Sequence, residues 1–306
     1  MTTASVSSPC SQTTNATFEA WVSEVVTALF TTIGVTQTAD TGQINPTTVA
    51  FPSAANTSQG YVIGRFNDTL QATLPVFFKL EFGSGTSAAN PQMWITIGTG
   101  SNGSGTITGT AGTRVAVCNG AVTGSVTSFT SRYCYNATYG FLGVCFKIGM
   151  TAANCSLGGF YIGRSNNSSG ATTGDGVWLL TNSNTNAGSQ TNQGYLQSIS
   201  FDTSTVYPAS LANATGWSFF PYATTTTYSS DCSVLPCIAT FPYLQFTMQL
   251  AVALNAEVPV GNTYSLAMIG STALTYLSIG WGWGSNTNYF GAALNTTGLT
   301  LCMLWQ

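Results

Sequence analysis

In VFFKLEF, residues 76–82, the apolar side chains Val76, Phe78, Leu80 and Phe82 alternate with Phe77, Lys79 and Glu81. Successive side chains of a strand point to opposite faces, so a period of two describes a half-buried β-strand. The pattern returns in MWITIG, where Met93, Ile95 and Ile97 alternate with Trp94 and Thr96. It recurs in CFKIGM around Phe146, from Gly194 to Phe201, in TYLSIGWGWG (Leu277, Ile279, Trp281, Trp283) and in LTLCMLW (Leu299, Leu301, Met303, Trp305). Gly- and Asn-rich stretches such as GTGSNGSGTITGTAG, RSNNSSGATTGDG and TNSNTNAGSQTNQG separate these runs and read as turns and loops. Strand, polar loop and strand in succession predict a mainly β protein, a β-sandwich or jelly-roll.

One segment has a different period. Phe18, Trp21, Val22, Val25, Val26, Leu29 and Phe30 recur at steps of three and four, which predicts a single N-terminal amphipathic helix, with Thr17 as its cap and Gly34 at its end. Residues 1–16 are rich in Ser, Thr and Asn and read as an extended arm. Residues 17–110 form the helix and a first β region, and residues 111–306 a larger β region; the two regions are also compatible with one discontinuous domain.

The chain has 306 residues but only six basic and nine acidic side chains, and no histidine. A typical soluble domain is about one quarter charged, so this surface relies on hydroxyl and amide groups. That suits a subunit packed in a large assembly or a protein exposed outside a cell. The six cations are unclustered and cannot neutralise a run of phosphates, so nucleic acid is not an expected partner. No apolar run approaches the roughly 18 residues of a membrane helix, so no membrane is expected either. MTTASVSSPCSQTTNAT lacks the basic and apolar regions of a secretory signal.

The missing histidine removes Ser-His-Asp catalysis, the HExxH motif and ordinary histidine metal sites. Asp175, Asp202, Asp231 and Glu257 are scattered and form no acidic pair suited to glycoside hydrolysis. GTGSNGSG lacks the lysine and the helix of a phosphate-binding loop and reads as a turn. The expectation is a protein that is not an enzyme and has neither cofactor nor metal. The eight cysteines include no C-x2-C pair, which disfavours zinc and favours disulfides. Cys232 with Cys237, Cys118 with Cys134, and Cys145 with Cys155 are candidate bridges, although eight cysteines allow 105 connectivities. A particle assembled in a host cytoplasm and oxidised after lysis reconciles such bridges with the absence of an export signal.

The longest distinctive passage is SQGYVIGRFNDTLQATLPVFFKLEFGSGTSAANPQMWITIGTGSNGSG, residues 58–105. It resembles a widespread group of uncharacterised tailed-bacteriophage virion proteins. Their pattern runs GY-x-I-x-R-F-x-D-x-LQ, then P-hydrophobic-hydrophobic-K-hydrophobic-E-hydrophobic-G-x-G, then I-T-hydrophobic-G-T-G. A second matching segment is AEVPVGNTYSLAMIGSTALTYLSIG, from Ala256 to Gly280. The middle of the chain, with six of the eight cysteines, matches no part of the pattern. The resemblance implies a protein of the phage particle without supplying its place there; the expected role is a structural virion subunit of the tail, baseplate, neck or collar, with a capsid decoration protein as a variant.

Arg65, Asp68, Lys79 and Glu81 fall within this passage and read as a structural ion-pair set. Lys79 and Glu81, two apart on one strand, share a face where Arg65 and Asp68 can meet them. The competing reading is a receptor- or glycan-binding module, with Trp281, Trp283, Tyr289 and Phe290 in WGWGSNTNYF as stacking surfaces, or as core and subunit interface. The expected partners are further copies of the chain, three being the favoured number, other virion proteins, and on the competing reading a host surface glycan.

Overall fold

A computed structural model describes residues 1–9, 12–85, 91–117, 128–149, 155–166, 172–181, 195–200, 205–210, 218–221, 234–241, 244–253, 263–266, 274–278 and 300–304. The first strand, β1 (Thr2–Pro9), precedes the helix α1 (Asn15–Val26), which continues as a π-helical turn over Thr27–Thr32. Thr14, rather than Thr17, is the N-cap. The Thr14 hydroxyl accepts from the Thr17 N–H at 3.2 Å, and the Thr17 hydroxyl accepts from the Thr14 N–H at 3.1 Å. This reciprocal box satisfies two N–H groups that helix geometry leaves without partners. Ile33 ends the helical segment, and Gly34 follows it.

A five-stranded antiparallel sheet is ordered β2-β3-β4-β5-β8. Its strands are β2 (Thr36–Gln37), β3 (Ser58–Arg65), β4 (Phe77–Ser84), β5 (Pro91–Gly98) and β8 (Val115–Ala116). Between β5 and β8 a small hairpin pairs β6 (Gly100–Ser101) with β7 (Ile107–Thr108), so the glycine-rich stretch is indeed a turn.

A 13-stranded antiparallel sheet holds the rest. It begins with β1, β9 (Ser128–Asn136), β10 (Phe141–Gly149), β11 (Cys155–Asn166), β12 (Thr172–Thr181), β13 (Tyr195–Ser200) and β14 (Thr205–Ser210), each paired to the next. The remaining strands are β15 (Ser218–Pro221), β16 (Val234–Phe241), β17 (Leu244–Ala253), β18 (Thr263–Leu266), β19 (Leu274–Ser278) and β20 (Thr300–Leu304), joined to β11 through β17. The mainly β, sandwich-like class read from the sequence is therefore what the chain adopts, with one N-terminal helix. The extended N-terminal residues include β1, which pairs along its whole length with β9.

Why the sheets face each other follows from the alternation. Phe78, Leu80 and Phe82 of β4 and Met93, Ile95 and Ile97 of β5 join one buried cluster with Tyr133, Leu142, Val144, Phe146, Phe160, Ile162, Val177 and Leu179 of the large sheet. Fully burying each such aliphatic or Phe side chain contributes about 1.5–3 kcal/mol. The helix closes this core. The Trp21 ring lies 5.5 Å from that of Phe82 and 5.9 Å from that of Phe146, so one residue touches both sheets. The cluster runs from Ala4 to Ile199, so residues on both sides of position 110 share it.

Candidate functional site

The charged residues of the motif separate into two places. Asp68, in the segment after β3, reaches the large sheet. Its carboxylate accepts from Arg164 Nε at 2.6 Å and from Arg164 Nη2 at 2.8 Å, the two-pronged geometry that suits a guanidinium. Arg164, on the core face of β11, has no exposed side-chain surface, and that of Asp68 is 3% exposed. The third prong, Nη1, donates to the Leu74 carbonyl at 2.8 Å. The Arg164 N–H donates to the Gly140 carbonyl.

Gly140 allows the arginine to pass. At φ +62° it sits in the left-handed region, and a Cβ there would lie 2.8 Å from Arg164 Cδ. Neighbouring motif residues complete the junction. Phe66 packs edge-on to Tyr135 at 5.4 Å, the Tyr135 hydroxyl accepts from the Asn67 N–H, and Gln71 Oε1 accepts from the buried Val76 N–H. Burial pushes the Tyr135 hydroxyl above its usual range; the Asn67 bond lowers it, the Asp68 charge raises it and the Arg164 charge lowers it.

Lys79 and Glu81 lie on the other face of β4, away from the core. Strand register sets Glu81 between Tyr61 and Trp94, and Lys79 between Ile63 and Thr96. Lys79 Nζ is 3.8 Å from Glu81 Oε2 and 4.7 Å from the Tyr61 ring centre. Arg114, beside β8, has its guanidinium carbon over the Trp94 ring, 4.0 Å from the ring centre, and its Nε is 3.0 Å from the same Glu81 oxygen, outside hydrogen-bond geometry. Side-chain exposure is 20% for Lys79, 15% for Glu81 and 36% for Arg114. One carboxylate thus lies between two cations and two aromatic faces, a ladder of net charge +1, and no second carboxylate among the described residues pairs with it as acid or base.

The four charges read as one set from the sequence thus do not meet. Asp68 is committed to Arg164, and Arg65 is exposed on β3, opposite Phe77 and Thr36, with no ion pair among the described residues. Sequence reading missed Arg164 and Arg114. A faint signal exists for the former: Ile63-Gly64-Arg65 recurs as Ile162-Gly163-Arg164.

It also passed over Asp40, which organises the β6–β7 hairpin. The Asp40 carboxylate accepts from the Ser101 hydroxyl and from the Gly105 N–H at 3.2 Å. Burial alone would raise this carboxyl, but the bonds from Ser101, Thr38 and Gly105 together outweigh it and hold the group below its usual value. Nearby, the Tyr61 hydroxyl donates to the Thr41 carbonyl; burial, and secondarily the Asp40 charge, raise its pKa.

The cysteine pairings need correction. Cys134, the candidate partner of Cys118, carries a buried thiol on β9, opposite Thr3 and Gly143. Burial pushes this thiol up to about 12, which makes it a poor nucleophile at neutral pH. Cys145 faces Gly159 while Cys155 faces Gly149. That four-residue offset separates their backbones by about 13 Å at ~3.3 Å per residue, against a limit near 7 Å for a bridge. Cys118 and Cys232 lie outside the described residues, as does the side chain of Cys237 in β16. Trp281, Trp283, Tyr289 and Phe290 lie outside them too.

Among the described residues no group of three His, Cys, Asp or Glu side chains is placed to hold a metal, and no helix is long and apolar enough to cross a membrane. Comparison with protein-family models, with curated proteins and with solved structures finds no match to this chain.

Proposed function

We propose that the chain is a non-enzymatic structural subunit of a tailed-phage virion, placed in the tail, baseplate, neck or collar and assembled as a homo-oligomer, with three copies the favoured number. The observation that carries this reading is where the motif spends its polar side chains. Asp68 and Gln71 hold the junction between the sheets, and Lys79 and Glu81 hold a cross-strand ladder with Tyr61 and Trp94. Residues that would be the natural source of chemistry in so uncharged a chain are engaged in its architecture. The low charge adds support, because a neutral Thr/Ser/Asn surface suits close packing against other subunits.

Purified particles of the phage encoding the chain test the proposal. Mass spectrometry should find the protein in the particle at a fixed copy number, and a labelled antibody should decorate the tail, baseplate or neck. Recovery only from the infected-cell lysate would refute a virion role. Decoration of the capsid shell would favour the capsid variant, and binding in a glycan array would favour the receptor-binding reading.

A further inference from the structure

The edges of the two sheets are unequally protected. An open edge offers unpaired N–H and C=O groups to any strand that arrives, and proteins blunt it with short strands, prolines, bulges or charge. Strands β2 and β8 have two residues each, β15 and β18 have four, and β14 carries Pro208 within its six. Strand β1 has none of these devices. It runs eight residues in unbroken register with β9, bears no charge, has a proline only at its last position, and among the described residues pairs on one side alone.

We infer that β1 is a docking edge for β1 of a second copy, paired antiparallel about Ser5 so that the large sheets of two copies join into one. The inference rests on the homo-oligomer proposed above; because a two-fold pair cannot close within a three-fold ring, the contact joins two trimers into a hexamer, or two chains into a dimer. The occupant follows from the faces of the strand. Ala4 is buried, Val6 packs against the core cluster, and Ser5 and Ser7 are exposed on the opposite face with Thr3 beside them.

Residues directly opposite in a strand pair share a face. A two-fold axis at Ser5 therefore sets Ala4 against Val6 of the second copy, Ser5 against Ser5 and Thr3 against Ser7. Apolar meets apolar, and hydroxyl meets hydroxyl. A one-residue slip would set the Ala4 face against the serine face, so the pattern selects this register. The contact is isologous, as a two-fold requires. Arg132 has its backbone three strand spacings from its equivalent, roughly 14 Å, while its guanidinium reaches toward the axis to donate to the Ser5 hydroxyl.

The register makes a charge test possible on the full chain. T3K/S7K sets lysine against lysine at both ends of the pair, whereas T3K/S7E sets lysine against glutamate; both leave Ala4, Val6 and the Arg132 contact in place. Native mass spectrometry and sedimentation should find an even number of wild-type copies. T3K/S7K should halve that mass, from dimer to monomer or from hexamer to trimer, and T3K/S7E should keep it. Far-ultraviolet circular dichroism checks that the variants fold. Hydrogen exchange of the wild-type β1 amides supplies a second readout that needs no variant, with protection expected on both edges. An odd-numbered wild-type oligomer, an unchanged T3K/S7K mass, or unprotected open-edge amides would overturn the two-fold edge contact and leave the oligomer reading standing. A wild-type monomer at every concentration would remove both.

Discussion

Strands β3 and β11 both contain Ile-Gly-Arg, yet they put the arginine in opposite places. In β3, Val62 faces the core, so Arg65, three positions on, falls on the outer face and is exposed. In β11, Ile162 faces the core, and Arg164, two positions on, shares that face and is fully buried. A single step of strand parity separates a solvated charge from one that must be paired. The partner, Asp68, is supplied by the segment that leaves β3, three residues after Arg65. The motif therefore uses its acidic residue, rather than its arginine, to lock the two sheets together.

The largest effect should come from breaking that lock. Arg164→Met leaves the Asp68 carboxylate buried without its charge partner, and Asp68→Asn leaves the guanidinium likewise. Either should cost about 3–5 kcal/mol of unfolding free energy in urea titrations. Gly140→Ala tests the same junction indirectly. It strains a left-handed backbone and crowds the arginine stem, so a loss of about 1–3 kcal/mol is expected by the same measurement.

The outer ladder should be softer. Glu81→Gln removes the carboxylate that Lys79 and Arg114 share, but these groups keep contact with water, so about 1 kcal/mol or less is expected, shrinking in high salt. Arg65→Gln, the counterpart of the Arg164 variant on the other Ile-Gly-Arg, should stay within about 0.5 kcal/mol of wild type. A large loss there would show that the parity argument has missed a partner.

Asp40 provides a pH-dependent contrast with the two arginine sites. Its carboxyl is held below the ordinary value of 3.8, so the stability it contributes is present above that value and is lost as pH falls through the lower folded value. Hydrogen exchange at Gly105, corrected for the intrinsic pH dependence of exchange, should report constant protection at pH 5 and above and loosening only below about pH 4. Loss of protection near neutrality would assign the hairpin to another group.

What the sequence disclosed was local. The alternation in VFFKLEF named the inward residues of β4, and three- and four-residue spacing located α1. Strand β1 escaped because TTASVSSP offers only Ala4 and Val6 to a core, too little apolar signal to distinguish a strand from a polar arm. The helix cap escaped because Thr17 stands where a capping box usually has Glu or Gln. Arg164 is 96 positions from Asp68, and no local pattern reports a partner at that distance. The rejected Cys145–Cys155 bridge shows the same limit: the cysteines are close in sequence, but the register of β10 and β11 sets them apart.

The most direct test is a pair of double-mutant cycles on unfolding free energy, one on Asp68 and Arg164 and the other on Lys79 and Glu81. If the buried pair interlocks the sheets, Asp68→Leu and Arg164→Met should each be costly alone, and the double variant should recover much of the loss, giving a coupling of about 3 kcal/mol. The outer pair should show a coupling below about 1 kcal/mol. Additive losses at Asp68 and Arg164, with the double variant as unstable as the sum of the singles, would contradict the account.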